Sequence, residues 1–375
     1  MLDLIADNND NFSMSSLALT VRRGKTFLTS VRNLQGTDAD LVSGFDFPSG
    51  SVCLLDGSAP SKIKVCLENK GVEVKPYDGD VDAHYAALPE GAALLVVTSG
   101  DVKTDLNGLV YVPYPNPSNV VQVFELGSMP SESELRNPVV YKKALPKNGR
   151  RLYVYYKGEP SEVIKSVKFN TQRAPKFRVN TVIKECASGL KVVKKAGCPE
   201  AASHIRTIVD NYKLFEKSYV RVIPASCKEA DGSLEVEFIE GEDVLKDTDL
   251  VNDPLEKIRD DINAVFDVIL DYKDDSLINI DSNLDNFVRR GDLIYCIDYE
   301  WAAPRVPFDY VKFRALHFYY RHNAGALGAR LSREDFLGLF GYDARAIRKF
   351  DATEQHFQAY TAGLEPEPYA ESFDE

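Results

Sequence analysis

No window of this sequence approaches the roughly 18 uninterrupted apolar residues that a membrane helix requires. The opening residues, MLDLIADNNDNFSMSS, are polar and acidic and hold no apolar core of a secretory signal. The expected compartment is therefore the cytoplasm. No two cysteines form a C-x-x-C pair: Cys53, Cys66, Cys186, Cys198, Cys227 and Cys296 are scattered, several of them inside apolar runs. That spacing fits buried reduced thiols rather than a disulfide framework. The five histidines are equally dispersed, so no His/Cys metal cage is visible. A basic excess is missing too. Against 45 Lys and Arg stand 57 Asp and Glu, a net charge of −12, which argues against a general nucleic-acid binder.

What is present is a chain of 375 residues, 44% of them hydrophobic. It can bury a sizeable core and has room for two domains. Its charge is uneven. Residues 141–217 hold 18 Lys and Arg against 6 Asp and Glu. Such a basic segment is either a solvated face or a site for an anion, and phosphate is the commonest such ligand.

Residues 50–100 read as α/β. The run GSVCLLDGS predicts a buried strand and turn, SKIKVCLENKG a short helix stopped at Gly71, and VEVKPYDGD and GAALLVVTSGD two more strands. Strand, helix and strand in that order predict parallel pairing through a crossover. Near Tyr111 the chain becomes rich in Pro and Asn, and residues 130–147 read as irregular connection. From Leu152 the segments RLYVYYKG, SEVIKSVKF, FRVNTVIKE and LKVVKKA predict an antiparallel sheet. A helix follows with Pro199 in its first turn, then the strand LEVEFIEG, then a long amphipathic helix with Asp253 as N-cap and Pro254 at its first position. Further helices are expected over Phe308–Asn323, Ser332–Phe340 and Asp343–Thr361.

Between those helical regions lies NIDSNLDNFVRRGDLIYCIDYEW, from Asn279 to Trp301. Asp281 and Asn286 are separated by five positions, and a hairpin pattern leads on to Asp298. Phosphoryl transfer asks little covalent work of a protein. It needs a carboxylate to orient the attacking hydroxyl, oxygen ligands for Mg²⁺ and a cation for the nucleotide phosphates. A D-x-x-x-x-N loop, a hairpin and a strand-terminal Asp supply such groups in that order. A small sheet, a helix, a linking strand and a helical half also follow the order of a bilobal kinase-like phosphotransferase.

These residues resemble the aminoglycoside/choline phosphotransferase branch of the kinase-like fold, where Asp-aromatic-Glu stands in the second motif. The resemblance implies Asp281 as the catalytic base or orienting group and Asn286 and Asp298 as Mg²⁺ ligands. It implies Lys194, in KVVKKA, as the contact to the α- and β-phosphates, with Glu200 as its partner and Glu216 as a rival. EFIEG, which includes Glu237 and Ile239, resembles the hinge that receives the adenine, and Arg173 is a candidate for the phosphates. VKFNTQRAPKFRVNT, GLKVVKKAGCPEAASHI and PFDYVKFRAL narrow the resemblance to bacterial methyltransferase–kinase fusions of surface-polysaccharide clusters.

The implied architecture is α+β: a small methyltransferase-like domain over 1–135, a kinase-like N-lobe over 150–242, a helical C-lobe over 243–362 and an acidic tail over 363–375. ATP and Mg²⁺ are the implied cofactors, and a small-molecule or saccharide hydroxyl the acceptor. The sequence departs from the pattern in three places. Asn279 replaces the usual His, the loop NTQRAPKF has no glycine, and LLDGSAP lacks the G-x-G that lets a backbone approach a cofactor closely. S-adenosylmethionine is therefore not expected to bind; Asp56, Gly57 and Asp78 would be its contacts if it did. Asp285 reads as a solvated turn residue, Trp301 and Phe318–Tyr320 as core, His204 as a helix-face or inter-lobe residue, and the acidic helix 253–274 as solvated surface. Three function classes fit: an active small-molecule or saccharide kinase, a pseudokinase, and an interaction scaffold.

Overall fold

The computed structural model describes residues 16–22, 25–31, 42, 44–100, 102–114, 120–125, 150–170, 173–230, 232–273, 278–303 and 306–364. The connection expected over 130–147 and nearly all of the acidic tail lie outside them. Strands β1 (Ser16–Arg22) and β2 (Lys25–Val31) pair with each other. The remaining residues divide between two compact units, with the break at Cys198–Pro199.

The first unit is built on nine strands. They are β3 (Val52–Leu55), β4 (Glu73–Pro76), β5 (Ala93–Thr98), β6 (Leu109–Tyr114), β7 (Val120–Glu125), β8 (Arg151–Tyr156), β9 (Glu162–Lys168), β10 (Val179–Cys186) and β11 (Gly189–Ala196). Their order is β11-β10-β9-β7-β6-β8-β5-β3-β4. Strand β3 pairs in parallel with β4 and with β5, as the α/β reading expects, and β9, β10 and β11 pair antiparallel. Helices α1 (Ser61–Asn69) and α2 (Val81–Ala86) follow β3 and β4. The central strands are buried on both faces, so their sequences are continuous apolar runs rather than alternating ones. Along β5, Ala93, Leu95 and Val97 pack in one cluster with Ile63 and Leu67 of α1. Leu94 and Val96 point the other way, toward Val81 of α2 and Leu88.

One expectation changes here. RLYVYYKG forms β8 as expected, but β8 pairs antiparallel with β5 and β6, not with the strands that follow it. Its alternating side chains explain this: Leu152 and Val154 join one core cluster, Tyr153 and Tyr155 the other. In the Pro- and Asn-rich stretch near Tyr111, Leu109–Tyr114 pairs with Val120–Glu125.

The second unit carries helices α3 (Ala202–Ser218), α4 (Leu255–Ile269), α5 (Phe308–His322), α6 (Ala324–Leu327), α7 (Arg333–Gly338) and α8 (Ala344–Thr361). Strands β12 (Val222–Pro224), β15 (Glu242–Asp243), β17 (Phe287–Arg290) and β18 (Leu293–Cys296) make a sheet in the order β12-β18-β17-β15. Strands β13 (Cys227–Ala230) and β14 (Ser233–Glu237) form a hairpin, and β16 (Ile278–Asn279) pairs with β19 (Ala302–Ala303). Pro254 itself takes the N-cap of α4, while the Asp253 carboxylate accepts from the amide of Asp249 and pairs with Lys257. Asp343 and Ser332 cap α8 and α7 through their side chains. Among the described residues, no helix is long and apolar enough to cross a membrane.

Candidate active site

The β17–β18 hairpin brings the two ends of the Asn279–Trp301 stretch together. Its turn is made at Gly291, whose φ of +60° suits glycine. At its base, β16 pairs with β19, setting Asn279 opposite Ala302. Asp281 thereby stands beside the segment Ile297–Glu300. Ligand atoms of Asp281, Asp298 and Glu300 all lie within 4.8 Å of one another, with Asp281 and Glu300 buried.

The backbone of this loop is held from both sides. Asn279, fully buried, accepts from the Asp281 amide through Oδ1 at 3.1 Å. Its Nδ2 donates to the carbonyl of Asp298 at 3.0 Å. This Asn thus ties the Asp281 loop to the Asp298 segment. Asn286 donates from Nδ2 to the Asp281 carbonyl at 2.7 Å. The Asp298 carboxylate accepts from the Glu300 amide at 3.1 Å.

Helix α3 grips the same segment with three side chains. His204 Nε2 lies 2.9 Å from Glu300 Oε1, both side chains being buried. Asn211 donates to the carbonyls of Tyr299 and Glu300 at 2.9 and 3.4 Å. Tyr212 donates its hydroxyl to the Ile297 carbonyl at 2.7 Å. Burial, and then the nearby Asp298 charge, raise the Tyr212 pKa well above the ordinary phenol value, so it stays a donor.

Arg314 of α5 reaches Asp281 Oδ1 at 2.5 Å, the Ile280 carbonyl at 3.2 Å and Glu354 Oε2 of α8 at 2.9 Å. Burial opposes its charge, and Glu354 and Asp281 more than offset that, so its pKa is raised. The set is all-oxygen and anionic, the donor chemistry of a hard divalent cation such as Mg²⁺.

No protein-family model matches the sequence, and no curated protein does. Solved structures similar to the chain include the kinase domain of Mycobacterium tuberculosis PknI, at 15% identity over 52% of this chain and 88% of that one, with a TM-score of 0.28. Another is the streptomycin–ATP–APH(2'')-IIa ternary complex, at 13% identity, 48% and 90% coverage and a TM-score of 0.25. The bifunctional kinase-methyltransferase WbdD is similar at 13% identity, over 88% of this chain and 92% of that one, with a TM-score of 0.26. At TM-scores this low the reading of the site rests on its own residues.

The remaining candidates are placed as follows. Lys194 lies on β11 opposite Thr181 and is buried. The carbonyl of Arg173 accepts from Arg178 Nε at 2.9 Å. Glu200 is exposed in the 3-10 turn Pro199–Ala201, and Glu216 is exposed too; the polar side chain that α3 buries near its start is His204. Glu237 ends β14, where its carboxylate accepts from Ser226 Oγ at 2.8 Å, and Ile239 is buried after it. Asp285 is half-exposed and pairs with His322 at 2.5 Å, in keeping with a turn residue. Trp301 is core, meeting Phe357 and Tyr360 edge-on.

Among the residues in contact around Asp281 and Asp298 that sequence reading left unassigned are Glu300, Arg314 and Glu354. Glu300 was in view as the third residue of the D-Y-E motif; Arg314 and Glu354 stand in ordinary helical patterns and give no local signal.

In the first unit, Asp56 accepts from the Ser58 amide and hydroxyl, both at 2.9 Å, and from Thr98 Oγ1 at 3.2 Å. A Cβ placed on Gly57 would meet nothing within 4 Å, so no close backbone approach requires glycine there. Asp78 accepts from the Asp80 amide and contacts His84, both at 3.0 Å. Part of the basic segment is matched by ion pairs: Lys165 pairs with Glu185, Lys184 and Lys191 share Glu162, and Lys195 pairs with Asp46.

Proposed function

We propose that this protein is an ATP- and Mg²⁺-dependent phosphotransferase acting on a hydroxyl of a small molecule or saccharide. The observation that carries the reading is the cluster of Asp281, Asp298 and Glu300. Asp281 already meets the Arg314 guanidinium and Glu300 the His204 imidazole, and a divalent cation would offset the carboxylate charge that remains. Asp298 and Asn286 are the proposed Mg²⁺ ligands, and the geometry adds Glu300 to the candidates. A bound Mg²⁺ would neutralise charge on the nucleotide phosphates. Asp281 would accept a hydrogen bond from the attacking hydroxyl and orient it in line with the phosphoryl group. Asn279 supports activity rather than its loss, because it joins the loops of Asp281 and Asp298.

The nucleotide roles of Lys194, Arg173, Glu200, Glu237 and Ile239 belong to the same proposal. So do a kinase-like region over 150–242 and 243–362, a degenerate methyltransferase-like region over 1–135, and a part in surface-polysaccharide synthesis. Asp56 and Asp78 are already engaged, which supports the expectation that S-adenosylmethionine does not bind.

A melting screen tests both halves of the reading. Mg-ATP at about 100 times its dissociation constant is expected to add roughly 2.7 kcal/mol, while S-adenosylmethionine leaves the transition where it is. An unmoved transition with millimolar Mg-ATP would sink the kinase assignment. A rise with S-adenosylmethionine would show that the first unit keeps a cofactor site.

A further inference from the structure

We propose that Arg314 is the positioning residue of Asp281, presenting one carboxylate oxygen to the acceptor and holding the other. The inference rests on the phosphotransferase reading of Asp281. Its basis is how the contacts of the loop are divided. The backbone at Asp281 is already fixed, its amide by Asn279 Oδ1 and its carbonyl by Asn286 Nδ2. Those bonds leave the side-chain torsions open. Two donors close them, both on the same oxygen: Arg314 Nη1 at 2.5 Å and Asn283 Nδ2 at 3.2 Å reach Oδ1. Among the described residues, Oδ2 is the oxygen left to meet a ligand.

Arg314 is itself immobilised. Its Nε donates to Glu354 Oε2, which also accepts from the Tyr310 hydroxyl at 2.8 Å. Glu354 Oε1 accepts from Gln358 at 2.6 Å. The guanidinium lies near the rings of Phe318 and Phe357, 4.9 and 5.1 Å from their centroids. It is 5% exposed, so it cannot swing out to solvent. Stability alone does not account for the arrangement. A buried ion pair is weak evidence for stability, and Glu354 with the Ile280 carbonyl would suffice to hold a buried guanidinium. The second carboxylate, on a loop already pinned by two asparagines, is explained if the rotamer of Asp281 is what matters. Arginine suits this task because its planar fork fixes direction as well as charge.

A double-mutant cycle on the full chain separates positioning from mere support. Mg-ATP affinity and ATP turnover to water or added saccharides are measured for wild type, D281N, R314M/E354Q and the triple variant D281N/R314M/E354Q. Replacing Arg314 and Glu354 together avoids leaving Glu354 as a buried charge without its guanidinium partner. We expect R314M/E354Q to keep its affinity within about twofold and to lose turnover about 10- to 100-fold, the scale of an ångström-level misplacement. Adding D281N should lower turnover no further than D281N alone, because Arg314 acts through Asp281. R314K, which keeps the cation but loses the fork, serves as the second variant if the first fails to fold, and should fall between wild type and D281N. Wild-type turnover in the Arg314 variants, or losses that multiply in the combined variant, overturns the positioning role while leaving the phosphotransferase reading intact. An unchanged rate in D281N, or no turnover in wild type, overturns both.

Discussion

At the scale of single residues, the site is a matter of which carboxylate oxygens are already used. Asp281 has one engaged by Arg314 and Asn283, Asp298 accepts from the Glu300 amide, and Glu300 faces His204. The other titrating group with a clear consequence lies away from the site. His317, on α5, accepts from Arg333 Nε at 3.1 Å, and Arg333 in turn pairs with Asp351. Burial first, then the surrounding arginines, push the His317 imidazole down from 6.5 to about 3. The unfolded chain takes up this proton near the ordinary value, and the folded chain does not until about 3. Between those values the unfolded state binds more protons, so stability is lost as the pH falls through the window, by up to about 1.36 kcal/mol per pH unit. Urea midpoints at pH 7 and pH 5 should therefore differ less in His317→Gln than in wild type. An equal pH dependence in the two proteins would show that the imidazole is protonated in the fold.

At the scale of elements, the D-x-x-x-x-N loop, the hairpin and the terminal Asp were legible because they are contiguous. Turn chemistry at Gly291 and apolar alternation mark them without any knowledge of the rest. The partners that complete the site were not legible. Arg314 meets Asp281 across 33 positions, Glu354 meets Arg314 across 40, and His204 meets Glu300 across 96. Each of these residues lies on a helix whose apolar periodicity looks the same whether its buried polar side chain serves a site or only the core. Strand β8 teaches the same lesson. Its apolar run reveals a strand, but not that the strand inserts between β5 and β6. Pro113 lies within β6, where it pairs opposite Val121. One glycine between β14 and β15 could be read only from the packing. A Cβ on Gly241 would meet the Arg289 carbonyl at 2.4 Å and the Val288 side chain at 2.6 Å. Gly241→Ala should cost about 1–3 kcal/mol, as overpacking against backbone does. A denaturant midpoint equal to that of wild type would contradict this close approach.

At the scale of the whole molecule, the uneven charge reads differently once the fold is known. Part of the basic stretch that suggested an anion site is cross-strand pairing on β9–β11, as at Lys184 and Glu162. Its pairs are partly exposed and contribute little each. The acidic helix α4 is similarly matched, with Lys257 between Asp253 and Asp261. The proposed function draws instead on the small oxygen-rich cluster of the second unit. The central claim is that this cluster holds a divalent cation for a nucleotide. Calorimetric titration of ATP into wild type and Asp298→Asn, each with Mg²⁺ and with chelator, tests it most directly. Wild type should bind ATP at least about tenfold more tightly with Mg²⁺, since a metal-mediated contact worth about 1.4 kcal/mol corresponds to that factor. Asp298→Asn should lose most of that difference. Equal ATP affinity with Mg²⁺ and with chelator in wild type would contradict the account.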